Sequence, residues 1–308
     1  MRSSSVASSL FTAAFTVVAL ATPTMAGAAD KTDLCHAIGG GRFKPLTVAA
    51  NAVPAHVGHG DALRPNGAVP GSPGSVFDDS CNVVTWTYGV NVVPDSSAQD
   101  PGSPGNLFVG TGIPAENFAT ATNAAEGVEL GLMVLYRQGP TIPSADTFAD
   151  GVLNFSAASG AQSTLNGSSV NNANRAAWNY TFSIATGLGG ATTDINDFTF
   201  QLLVDLDPGP ATSYMVLTLQ PGGGGSSGFR WVHVPSTTVV MNDDEGVNPT
   251  VTQNSQNYAF YGLLPPLSSS NYTIGGGFAG PAKFDVILQA FSGAQLIASN
   301  HIAVNVAP

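Results

Sequence analysis

Both cysteines and three of the five histidines of this 308-residue chain fall between positions 35 and 81. In order they are Cys35, His36, His56, His59 and Cys81, with Asp61 just after the last histidine. Imidazole nitrogens and a carboxylate oxygen suit zinc and other borderline metals. The stretch Ala52 to His59 reads as a short helix with Asn51 as its cap and Pro54 in its first turn, and residues three apart on a helix share a face. His36, His56, His59 and Asp61 are therefore a candidate metal set. A competing reading has one ring capping a carbonyl and the other facing water.

The elements that must position these groups start with the cysteines. Arg2, an apolar run over positions 6–21 and Ala26-Gly27-Ala28 have the order of a secretory signal peptide, which assigns residues 1–28 to a leader and the product to the extracellular space. In an oxidising compartment a lone pair of cysteines predicts a disulfide. Joining Cys35 to Cys81 closes a loop of about 47 residues, for which chain entropy gives roughly 4 kcal/mol as an upper figure. That bond would staple a module over 29–81.

The formal net charge is −11, with only 9% charged residues. Such a balance repels phosphate backbones and argues against nucleic acid as a partner. No stretch after the leader is long and apolar enough to span a bilayer. The expected partners are polysaccharide or cell-surface components.

The order Cys35-His36, then Leu46-Thr47-Val48, then Asn51-Ala52-Val53-Pro54-Ala55-His56-Val57-Gly58-His59-Gly60-Asp61 and a closing cysteine resembles a small module of bacterial secreted and surface proteins. The resemblance covers about fifty residues. It implies an extracellular bacterial protein and carries no catalytic role. The chain departs from the pattern in one place, because Arg64 to Ser80 separates Asp61 from Cys81.

Residues 82–105 read as a strand with a Pro- and Gly-rich linker, and Arg64 to Gly74 has the same loop composition. Trp86, Tyr88, Val90 and Val92 alternate at period two, as on a strand with one buried face. From 106 to 308 strand signals recur: Trp178, Tyr180, Phe182 and Ile184 alternate with Asn179, Thr181 and Ser183, and Phe198, Phe200, Leu202 and Val204 repeat the pattern. One face of each is expected to be core and the other wet. Asn257 to Tyr261 is a further expected strand, and Lys283 to Phe291 with Gln295 to Val306 reads as a hairpin through Ser292-Gly293-Ala294. About ten such strands with no long helix predict an all-β, antiparallel β-sandwich of jelly-roll or related topology.

Within this region Gly110-Thr111-Gly112-Ile113-Pro114, Val128 to Leu132, Ala177 to Ile184, Asp205-Leu206-Asp207-Pro208, Gln253 to Tyr258 and Phe284-Asp285-Val286 follow in an order that resembles secreted bacterial β-proteins of unknown function. Members of that group often carry a PEP-CTERM sorting tail, and the ending Val306-Ala307-Pro308 leads us to expect none in this chain.

Two clusters are rich in oxygen ligands. Asp205 with Asp207, and Asn242 with Asp243, Asp244 and Glu245, are candidate calcium loops; the competing reading is a solvated turn whose side chains bond their own backbone. Zinc and calcium are the candidate cofactors. Gly224 to Gly228 fits a hydrolase elbow string and Gly275 to Gly280 a dinucleotide string, but the first lies in a glycine run and the second precedes a strand pattern. His233 and His301 sit in strand patterns and read as structural or surface residues. A carbohydrate-active hydrolase would need two carboxylates across a cleft, with Glu116, Glu126, Glu129, Asp194 and Asp197 as candidates. Glu129, between Val128 and Leu130, is expected on a wet face. The preferred reading is a secreted, non-enzymatic binding or matrix protein, with the hydrolase as its alternative.

Overall fold

The computed structural model describes residues 30–91, 118–136, 144–149, 151–158, 176–207, 211–222, 228–234, 236–237, 239–242, 250–257 and 282–307. The leader, the Pro94 to Gly105 linker, the Gly110 to Pro114 motif, Glu116, Asp243 to Glu245 and Gly275 to Gly280 lie outside them.

Strands β1 (Lys31–Ala37) and β2 (Phe43–Ala49) form an antiparallel hairpin. Its turn uses Gly39, Gly40 and Gly41, all at positive φ, where a side chain would be strained. A 3-10 turn (Ala50–Ala52) runs into helix α1 (Val53–Gly58), and β3 (Ala62–Leu63) pairs with β1, giving the order β2-β1-β3. Pro54 occupies the first turn as expected, but Ala52 is the N-cap and no side chain caps the helix. Asn51 is spent inside the preceding 3-10 turn.

Strands β4 (Ser75–Phe77) and β5 (Val83–Thr85) pair with each other. The Arg64 to Gly74 stretch between β3 and β4 is held by backbone bonds, including Asn66 N–H to Phe77 O (2.8 Å) and Val69 N–H to Ser75 O (2.9 Å). The expected strand around Trp86 is broken there, with β6 (Thr87–Asn91) beginning one residue later. Trp86 is buried, whereas Val90 is exposed, so the alternation marks the core only at its start.

The sandwich is built from β7 (Phe118–Asn123), β8 (Val128–Leu135), β9 (Ser144–Ala149), β10 (Val152–Ala158), β11 (Asn179–Ala185) and β12 (Thr199–Asp205). It is completed by β13 (Tyr214–Pro221), β14 (Phe229–His233), β15 (Val239–Asn242), β16 (Val251–Asn257), β17 (Ala282–Ser292) and β18 (Gln295–Ala307). One sheet has the order β16-β11-β8-β7-β6 and the other β15-β14-β13-β12-β17-β18-β10-β9. The fold is an all-β sandwich. Pairings are antiparallel except β10 with β18, a parallel neighbour that the long stretch of chain between them makes reachable.

The core lies between the sheets, where Leu130, Leu132, Tyr180 and Phe182 meet Phe200, Leu202, Leu217, Trp231, Val286 and Leu288. In β12 the alternation holds, with Phe200, Leu202 and Val204 inward. In β11 the expected wet face is absent: Asn179, Thr181 and Ser183 are as buried as Tyr180 and Phe182. Glu129 points away from Val128 and Leu130 as expected, yet it too is buried. Polar side chains chosen for a sheet's second face look alike whether that face is open or covered, so alternation alone misjudged these positions. β16, whose sequence VTQNSQN has no apolar alternation, is not legible for the same reason; the strand expected at Asn257 to Tyr261 meets it at Asn257, and residues 258–261 lie outside the described residues.

Asn300 of β18 reaches across the core, its Nδ2 donating to Ala119 O (2.7 Å) and Leu130 O (3.0 Å). The Asn123 side chain makes the reciprocal link, Nδ2 to Ile297 O at 2.8 Å. Replacing Asn300 by Ala should lower unfolding free energy in urea by about 1–3 kcal/mol. Asn300→Asp should cost more, because a carboxylate facing two carbonyls cannot donate. Equal stability of parent and both variants would refute this reading of the sheet-to-sheet contact.

Candidate metal centre

Helix α1 ends in a way that fixes the site. Gly60, at φ +91°, takes the left-handed position after the cap residue His59. Gly60 N–H donates to Val57 O (3.0 Å) and Asp61 N–H to His56 O (3.1 Å). This pair of bonds is a Schellman termination, which brings the residue after the glycine back against the last helical turn. The returning residue is Asp61, and it meets His56.

β3 then continues alongside β1, with Cys35 opposite Ala62, so Asp61 arrives next to His36. The carboxylate has no side-chain exposure. Asp61 Oδ2 lies 2.8 Å from His36 Nδ1 and 2.7 Å from His56 Nδ1, and Oδ1 accepts from Ala37 N–H at 2.9 Å. The rings stand 5.9 Å apart, edge to face. Burial by itself would raise the Asp61 pKa, but the hydrogen bonds from His36, Ala37 and His56, with the His36 charge, outweigh it and hold the carboxyl below its ordinary value.

The Cys35–Cys81 disulfide is formed and its neighbours are apolar: Ala62, Val69 and Phe77, with the Phe43 ring tilted against Phe77 at 4.5 Å between centroids. The stretch before Cys81 brings it back through a turn in which Asp78 Oδ1 accepts from Ser80 N–H and Asn82 N–H, both at 2.8 Å. Since Cys35 precedes His36, the disulfide pins the strand that carries the first imidazole.

Ligand atoms of His36, His56 and Asp61 all lie within 4.8 Å of one another. His59, placed in the same set by its spacing, stands outside the group and is exposed. It is the cap residue, with φ −95° and ψ 2°, so the chain has left helical geometry where the three-residue rule would align it with His56. Ala37 N–H was not legible as a partner, because a backbone donor has no residue signature.

The other candidates are arranged differently. Asp205 Oδ1 accepts from Asp207 N–H (3.0 Å) and Ser213 N–H (2.8 Å), the pattern of an aspartate organising its own turn. Asn242 ends β15. Asp194 and Asp197 form a reciprocal capping box on a 3-10 turn, with Asn196 N–H to Asp194 Oδ1 at 2.6 Å and Asp194 N–H to Asp197 Oδ2 at 2.8 Å. Glu126 lies in the turn between β7 and β8. Burial pushes the Glu129 carboxyl above its ordinary pKa; its Oε2 accepts from Thr122 Oγ1 (2.9 Å) while Oε1 has no partner. His233 Nδ1 contacts Ser236 Oγ at 2.8 Å.

A second ionisable cluster escaped the sequence reading. His301 Nε2 lies 2.8 Å and Lys283 Nζ 3.3 Å from Asp285 Oδ1. Counting back from the hairpin turn does not reveal it: a bulge at Ala290/Phe291 shifts the register by one residue, so that His301 pairs with Ile287 and lies diagonal to Asp285.

No protein-family model, curated protein or solved structure matches the chain.

Burial would raise the Asp285 pKa, but the hydrogen bond and charge of His301 and the charge of Lys283 bring it below its ordinary value. The unfolded state therefore binds the proton first on acidification. The stabilisation is complete above the unfolded value of about 3.9 and is lost as pH falls through the lowered folded pKa. Asp285→Asn should cost about 1–3 kcal/mol at pH 7 in urea unfolding, and the gap from the parent should close below about pH 4. A gap that widened with acid would contradict the assignment.

Proposed function

We propose that this is a secreted bacterial binding or matrix protein, without catalytic chemistry of its own, whose stapled N-terminal module holds a borderline divalent metal such as zinc. The convergence of His36, His56 and Asp61 on one point carries this reading. The disulfide is compatible with an oxidising, extracellular setting, and among the described residues no helix is long and apolar enough to cross a membrane.

An ion between the three groups would replace the two Nδ1 protons that now face Asp61. Zinc–nitrogen bonds of about 2.0–2.1 Å in a tetrahedron need ligand atoms about 3.3 Å apart, so the present hydrogen-bond separations of 2.7 and 2.8 Å would have to open by roughly half an ångström. The side chains of His36 and His56 are partly exposed, at 35% and 26%, which leaves them room to do so. Three protein ligands leave a fourth position for water or a partner's ligand atom. Three ligands make an open site and not a closed four-ligand one, which suits capture of a partner's ligand atom at the fourth position.

Isothermal titration of the disulfide-bonded protein with zinc should give one site at pH 7.5. Affinity should fall by at least about tenfold at pH 5.5, because the metal must displace protons from its ligands. His56→Ala and Asp61→Asn should abolish the site, while His59→Ala should leave it intact. Absence of binding at both pH values, or equal loss in His59→Ala, would sink the proposal.

A further inference from the structure

The outward face of the eight-stranded sheet presents an ordered transverse pattern that neither the sequence reading nor the metal centre uses. Thr218, Gln201, Gln289 and Ser299 are direct partners on four consecutive strands, β13, β12, β17 and β18. Each is flanked along its own strand by inward, buried neighbours such as Leu217, Leu202, Leu288 and Ala298, so all four point outward. They are half-buried, not covered. Strands lie about 4.8 Å apart, so the row offers an amide or hydroxyl at that interval over about 14 Å. Gln289 Nε2 and Ser299 Oγ stand 3.5 Å apart, at the limit of a hydrogen bond, which leaves both groups capacity for an external partner.

Two residues along each strand lies a parallel strip of Val216, Leu203 and Ile287, also half-buried. On β18 the strip ends in His301, the direct partner of Ile287, and beyond it come Tyr214, Asp285 and Lys283. A hydrogen-bonding row beside an aliphatic strip matches the two-sided chemistry of a pyranose chain, whose hydroxyls alternate donors and acceptors and whose C–H faces are apolar. The strand interval is about the length of one sugar ring. Charge selects among such chains. The net charge of −11 repels a polymer of uronates, sulfates or phosphates from the molecule as a whole and a neutral one not at all; on the face itself Asp205 and Asp285 are buried, Asp285 is paired with His301 and Lys283, and Arg230 stands beside Gln220.

The other sheet supplies the contrast. Its outer face has the same residue types, yet Thr120, Thr181, Ser183 and Gln253 are at most 2% exposed, so it is closed to a polymer. Among the described residues, Glu129, the carboxyl that burial pushes up, lies in β8 of the covered sheet at 1% exposure, while His301 and Lys283 hold Asp285 below its ordinary value.

We infer that the outer face of the eight-stranded sheet, centred on Gln201 and Gln289, binds a neutral polysaccharide laid across the strands. This rests on the reading of the protein as a non-catalytic binding protein and names its ligand class. It is tested by native gel electrophoresis of the full mature chain through hydroxyethylcellulose, soluble starch or mixed-linkage β-glucan, with alginate as the anionic control and reducing ends assayed in parallel. At least one neutral polymer should retard the protein and alginate should not. The Gln201→Ala/Gln289→Ala variant, shown folded by an unchanged near-UV spectrum, should lose at least fivefold in retardation, whereas Lys44→Ala on the module should lose none. Should the double variant not fold, the milder Gln289→Ser carries the same expectation at reduced size. No retardation by any neutral polymer, undiminished retardation in the folded variant, or retardation by alginate alone would overturn the inference while leaving zinc binding untouched. Release of new reducing ends would overturn the non-catalytic reading beneath it.

Discussion

A carboxylate with no exposure to water cannot be left alone, and Asp61 is the constraint around which the N-terminal module is arranged. An isolated buried charge costs several kcal/mol unless hydrogen bonds and opposite charge replace its hydration. Asp61 receives three donors, and each comes from a different structural decision. The Schellman termination at Gly60 delivers it to His56, the β1–β3 register delivers it to His36, and the strand backbone supplies Ala37 N–H. The disulfide beside His36 holds the strand on which two of those donors sit. Loosening any of these would strand the carboxylate, which is why a small module commits a covalent bond and a cysteine-bearing turn to one point.

The module is continuous with the sandwich. Asn66, in the stretch between β3 and β4, uses both ends of its amide on the β17–β18 hairpin: Nδ2 donates to Ala294 O at 2.9 Å and Oδ1 accepts from Leu296 N–H at 2.7 Å. Val76 and Trp86 lie in the same apolar cluster as the sandwich core. The hairpin tip thus meets the module, while the outward face of the same strands carries the Gln289 and Ser299 row. A ligand on that face and an ion in the module would act on one connected body.

Much of this was legible from residue order. The two cysteines declared their bond, and the β17–β18 hairpin and the β12 alternation were read from period-two patterns that tertiary packing respected. His36, His56 and Asp61 were also found, because their types and spacing are rare together. His59 was misgrouped since a spacing rule for helices was applied one residue past the helix. In the sequence Glu129, Asn179, Thr181 and Ser183 read as a wet face, because a covered polar face and an open one have the same composition. The Asp285–His301 pair needed strand register, which the bulge at Ala290/Phe291 shifts by one residue between the hairpin turn and His301.

Asp61 organises two imidazoles into one unit through their Nδ1 atoms. Nitrogen NMR of the imidazoles in metal-free protein reads this directly. His36 and His56 should both carry the Nδ1 proton at neutral pH, and one equivalent of zinc should shift both rings together, leaving His59 unchanged. An Nε2–H tautomer at either ring in the metal-free protein, or a zinc response confined to a single histidine, would contradict it.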